Sequence, residues 1–218
     1  MPIEIPDMPP AIAKALQTGL RKFAVPASPA SPDATAPSSV KPSIARNSRV
    51  ISRSIEAALA ADKPGGVGAS TIVLGLDELV ASSSLRKAKA KLWVQLLPAG
   101  ESGESAMAEV DKAAAKLTSI AEGPEVKALA KRINGLAAQQ TRSPVRQELT
   151  LIRVPALHLT AIWLKGAAGE AADDVVIPND GPIAPLVPGQ RYALAEFQGI
   201  VAAMAAERLA KTTDDMGG

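Results

Sequence analysis

The chain has 218 residues, 47% hydrophobic and 21% charged, with 24 Lys and Arg against 22 Asp and Glu. That length can bury a sizeable core, and the composition excludes wholesale disorder and a collagen-like fibre. The lack of cysteine excludes a disulfide scaffold, a thiol nucleophile, a thiolate zinc site and an iron–sulfur cluster, and a net charge of +2 selects neither nucleic acid nor an anionic membrane by itself.

Met1 to Pro10 carries Glu4, Asp7 and several prolines, without the basic start and apolar stretch of an export signal. No run of about 18 apolar residues occurs, so no transmembrane segment and a cytoplasmic location are expected. From Pro9 to Val25, Ile12, Leu16, Leu20 and Phe23 recur at helical spacing, with Lys14, Gln17, Arg21 and Lys22 elsewhere on the wheel. Residues 1–25 are therefore expected to carry a short amphipathic helix. Ala24 to Ala45 holds Pro26, Pro29, Pro32, Pro37 and Pro42 among Ala and Ser, which reads as an extended linker over 26–45. A body over 46–211 and a frayed tail over 212–218 complete the organisation.

In the body, Val50, Ile51, Ile55 and Leu59 mark a helical face within Asn47 to Ala61, closed by Lys63-Pro64-Gly65-Gly66. Thr71 to Leu76 reads as a strand or a helix start, with helix continuing over Asp77 to Ser82. Between Lys87 and Leu97, Ala88, Ala90, Leu92, Val94 and Leu96 alternate with Lys87, Lys89, Lys91, Trp93 and Gln95, which predicts a strand with a basic face. Gly103 to Glu122 places Met107, Val110, Ala114, Leu117 and Ala121 at helical spacing, with Glu104, Glu109 and Asp111 near the helix start. Pro124 opens a second helix through Val126, Leu129, Ile133 and Leu136, so an antiparallel helical hairpin is expected, with Asn134-Gly135 a weak point in its second member.

Gln147 to Val154 and Ala156 to Lys165 are apolar on both faces, as strands at the centre of a sheet are, with Pro155 a kink or junction. Val175, Val176 and Ile177 supply a third strand, Asn179 to Gln190 a Pro/Gly loop, and Tyr192 to Lys211 a closing helix with Leu194, Phe197, Val201, Met204 and Ala205 on one face. The expected fold is α+β or α/β: a single mixed sheet packed by the helical hairpin and the C-terminal helix.

The motifs carry little chemistry. Lys63 to Thr71 invites comparison with the glycine-rich phosphate loop, but Ala69 stands where that loop has lysine and no strand precedes the glycines, so it reads as a turn. His158, the one histidine, is expected in a buried strand, and Asp173, Asp174 and Asp180 fall in a loop where solvation is expected. Glu104, Glu109 and Asp111 are accounted for by the helix dipole, and the serines at 82–84, 102 and 105 lack a nucleophile elbow. Lys87, Lys89 and Lys91 read as a solvated strand edge, and with so few aromatics nucleic acid is not expected as a partner. No metal and no cofactor are expected.

The helix, linker and body arrangement points to a non-enzymatic interaction or assembly protein that docks Ile12, Leu16, Leu20 and Phe23 into a groove on a protein partner. Short amphipathic helices on Pro/Ala/Ser linkers are similar to the targeting segments of proteins packaged inside bacterial protein compartments. That resemblance covers the first fifth of the chain and implies a larger assembly as partner. The alternative is a small-molecule-binding or hydrolytic domain with its site near His158 and Trp163.

Overall fold

The computed structural model describes residues 3–24, 55, 58–59, 66–82, 84–97, 105–139, 147–166, 173–179 and 183–215. The expected linker and most of the helix expected over Asn47 to Ala61 lie outside them, although Ile55, Ala58 and Leu59 are helical and the first two are buried. The strands are β1 (Ile3–Glu4), β2 (Gly68–Val73), β3 (Leu92–Leu96), β4 (Ala106–Asp111), β5 (Lys116–Glu122), β6 (Gln147–Val154), β7 (Leu159–Gly166), β8 (Val175–Pro178) and β9 (Tyr192–Ala193). The helices are α1 (Pro10–Ala24), α2 (Leu76–Ala81), α3 (Pro124–Gln139) and α4 (Leu194–Asp215). The strands hydrogen-bond in the order β5-β4-β3-β2-β6-β7-β8-β9, with β1 also beside β6, which makes the expected mixed sheet of an α+β protein. The chain divides into two compact units, residues 1–7, 68–93 and 128–218 forming the first and residues 8–67 and 94–127 the second.

Unit 1 is organised around β6. Its residues are apolar on both faces, so it lies between strands, pairing antiparallel with β7 from Gln147↔Gly166 to Val154↔Leu159. Along its other edge it pairs in parallel with β1 at Gln147 and Glu148 and with β2 from Thr150 to Arg153. One sheet face presents Ile72, Ile152, Ala161, Trp163 and Val176 to Leu79 of α2 and to Phe197, Val201 and Ala205 of α4. The other face buries Leu149, Leu151, Ile162, Leu164 and Ile177. Helix α4 begins two residues later than expected, because Tyr192 and Ala193 pair with Val176 and Val175 as β9. It runs on through Thr212 to Asp215, which were expected to fray.

Several other expectations are corrected. The strand read over Lys87 to Leu97 is confined to Leu92–Leu96, after a 3-10 turn at Leu85–Lys87. Trp93, Val94, Gln95 and Leu96 are all buried, so no exposed basic strand face forms. Lys91 instead donates to Glu78 Oε1 at 2.9 Å, while Glu78 Oε2 accepts the Gly75 N–H that opens α2. That backbone hydrogen bond, and then the lysine, hold the Glu78 carboxyl below its ordinary range. Helix α3 passes through Asn134-Gly135 to Gln139 without a break.

In unit 2 the helix expected over Gly103 to Glu122 is absent, and with it the helical hairpin. Residues 106–122 form the antiparallel ladder β4–β5 instead. Leu97 N–H donates to Ala106 O at 2.8 Å, which ties the start of β4 to the residue that follows β3. Asp111 Oδ1 accepts Ala114 N–H at 2.7 Å and Ala115 takes φ 45°, so the turn is closed by an Asx-type bond that the helical reading did not weigh. Alternation along β4 puts Ala106, Ala108 and Val110 on the buried side, and the register shifts opposite Glu109 and Val110, where Thr118 of β5 is the extra residue. Glu109 and Asp111 are thus strand residues rather than helix-start carboxylates, and Ser119 Oγ donates to Glu109 Oε2 at 2.9 Å.

Helix α1 forms as expected and packs on this hairpin, with Ile12, Leu16 and Leu20 buried. The approach is close: a Cβ on Gly19 would lie 2.4 Å from Leu117 Cβ. Helix propensity alone favours Gly19→Ala by about 1 kcal/mol, whereas overpacking costs about 1–3 kcal/mol. Gly19→Ala is therefore expected to destabilise the protein; Leu117→Ala keeps the Cβ that lies nearest and should leave most of that penalty, whereas a Leu117→Gly background should remove it, read as a smaller shift in urea unfolding midpoint.

Candidate functional site

The two residues of the expected ligand site are not brought together as a site. His158 is exposed in the β6–β7 connection, where the chain makes a 3-10 turn over Pro155–Leu157 and His158 closes it with φ 50°. The expected buried strand position is corrected accordingly: the strand starts only at Leu159. Trp163 is fully buried, its indole N–H reaches no acceptor, and Lys165 Nζ sits 4.5 Å from its ring centroid. It is a core side chain rather than a ligand platform.

Asp174, expected in solvent, is completely buried. Arg86 Nε donates to Oδ2 at 2.7 Å and Nη2 to Oδ1 at 2.5 Å, and Gly166 N–H adds 2.9 Å to Oδ1. This fork geometry satisfies both carboxylate oxygens and pushes the Arg86 guanidinium further above its ordinary range. Among the described residues no group of three or more His, Asp or Glu is placed to hold a metal ion. The glycine segment, described from Gly66, leads directly into β2, and a Cβ on Gly66 would fall 1.9 Å from Leu96 O. That glycine serves close backbone approach.

The arrangement with chemical capacity lies on α1 in unit 2. Ile12, Leu16 and Leu20 face inward, so a partner could reach them only by displacing the hairpin; the side chain of Phe23 lies outside the described ones. Beside them, the outer flank of α1 and the β4–β5 turn enclose a groove of about 700 Å³. Ala15, Gly19 and Leu117 make its apolar floor, and Lys14, Lys22 and Lys116 stand on its rim. Helix α1 contains no acidic residue at all. The concentration of Lys14, Arg21 and Lys22 on one uncompensated helix was visible in the sequence. The contribution of Lys116 and Leu117 was not, because it depends on the hairpin.

No protein-family model matches the chain, and neither a curated protein nor a solved structure does. Among the described residues no helix is long and apolar enough to cross a membrane.

Removing one partner from a buried ion pair leaves a charge without compensation, at a cost of about 3–5 kcal/mol. Arg86→Met should therefore destabilise the protein by about 3 kcal/mol, while Arg86→Met with Asp174→Asn should recover at least half of that loss in urea melts.

Proposed function

We propose that the protein is a non-enzymatic interaction protein and that α1, carried on its hairpin, is the element that meets a protein partner. The observation that carries this reading is the groove of about 700 Å³ with an Ala, Gly and Leu floor and three lysines on its rim. A floor of small apolar side chains lets another segment approach closely, and uncompensated lysines select a segment of opposite charge. The partner feature that fits is an amphipathic segment with acidic residues flanking a short apolar stripe. The recognition face is then the outer flank of α1, while Ile12, Leu16 and Leu20 hold the helix in place.

Exposed ion pairs contribute about 0.5 kcal/mol each, so losing three weakens binding about 10-fold. Panning a random peptide display library against the full chain should enrich sequences in which Asp or Glu alternates with Leu, Ile or Phe at helical spacing. The triple variant Lys14→Gln, Lys22→Gln, Lys116→Gln should bind the enriched peptides about 10-fold more weakly by fluorescence anisotropy. Enriched peptides without acidic bias, or unchanged affinity in the triple variant, would overturn the reading.

A further inference from the structure

Unit 1 carries a second concave surface, unrelated to α1. Where α3 passes β8 and the segment leading into β9, a cleft of about 450 Å³ opens. Lys131 and Arg132 from α3 and Arg191 from the β9 approach line it, together with Leu136 and Ile177, and among the described residues no carboxylate does. Among the described residues none of the three cations is within ion-pairing distance of an acid. Like charges gathered without a counter-charge repel one another, and a bound anion would relieve that repulsion.

The cleft is also shaped around one of these cations. Arg132 Nη1 donates to Pro178 O at 3.2 Å, and the same carbonyl accepts Gly189 N–H at 2.9 Å. Gly189 has φ 83°, and a Cβ there would lie 2.6 Å from Arg132 Nη1. The glycine thus makes the turn and leaves the space the guanidinium needs. A carbonyl anchor fixes the direction of the guanidinium without cancelling its charge, as it would be cancelled by a carboxylate.

We propose that this cleft binds a small phosphorylated molecule, its phosphate held between Lys131, Arg132 and Arg191 and its apolar part resting on Leu136 and Ile177. The volume is that of a small-ligand pocket. Three cations balance a dianion, whereas a monocarboxylate would leave most of their repulsion in place, so phosphate is favoured over carboxylate. The cleft is too small for a polymer, and among the described residues no aromatic side chain lines it for base stacking.

The test is an NMR titration of the full chain with phenyl phosphate, inorganic phosphate and benzoate, following the backbone amides of Arg132 and Gly189. Phenyl phosphate should shift both amides saturably below about 10 mM and bind more tightly than either inorganic phosphate or benzoate. Arg191→Gln and Lys131→Gln change exposed side chains and leave the fold intact, and each should weaken phenyl phosphate about fivefold. Gly189→Ala should weaken it too, by displacing the guanidinium. Benzoate binding as tightly as phenyl phosphate, shifts confined to other regions, or affinity unchanged in both glutamine variants would overturn the proposal.

Discussion

A carboxylate removed from water has to find its counter-charge within the fold, and in unit 1 the position of most other elements follows from how Asp174 does so. Its side chain takes both forks of Arg86 and the Gly166 N–H, and its backbone carbonyl accepts the Leu194 N–H at 3.2 Å. One residue thereby joins the 3-10 turn after α2, the end of β7, the start of β8 and the first residue of α4. Gln198 extends the tie from the helix side, donating to Ser82 O at 2.9 Å and accepting the Leu85 N–H at 3.3 Å. With the first turns of α4 held at two points, Phe197, Val201 and Ala205 fall onto Trp163 and Val176 rather than one turn to either side. The apolar core contributes most of the stabilisation, but apolar surfaces slide, whereas the directional bonds made by Asp174 and Gln198 are satisfied in one register.

How far the fold can be read from sequence depended on whether a segment offered one period or two. In β6, β7 and β8 the β-branched and large apolar residues fill both faces, and only a strand covered on two sides accepts that pattern. Residues 106–122 offered two. Met107, Val110, Leu117 and Ala121 fit a helix, while Ala106, Ala108 and Val110 against Glu109 and Asp111 fit a strand. Alanine weighs little in either period, so the ambiguity is resolved by tertiary pairing: β3 supplies a ladder for Ala106, and Asp111 closes the turn. The same limit explains His158, whose left-handed backbone shortens the strand it was expected to occupy.

The candidate sites were less legible than the fold, for a related reason. Periodicity identifies the apolar face of α1 but not what covers it. The cover is Leu117 and its neighbours, on a hairpin that the helical reading of that segment dissolved. Once the hairpin exists, the apolar stripe becomes an anchor, and attention moves to the flank with Lys14 and Lys22. Arg86 and Asp174 are 88 residues apart, and no local pattern marks either as half of a pair. The three cations of the α3 cleft come from two segments separated by an entire sheet connection, so their convergence is a property of topology alone.

Charge distribution decides how the two concave surfaces would divide their ligands. The net charge is only +2, and α1 by itself contributes three positive side chains and no negative one. The remainder of the chain is therefore close to neutral, and no general field steers anions to the molecule. Selectivity has to arise within about a Debye length of each cluster, some 8 to 10 Å at ordinary ionic strength. At that range shape separates the candidates. The open groove along a helix suits a ligand that repeats its charges along its length, as an acidic peptide does. The cleft around Arg132 suits one that concentrates its charge at a point, as a phosphate does, because a carbonyl-anchored guanidinium gains most from an oxyanion that meets its remaining donors in one plane.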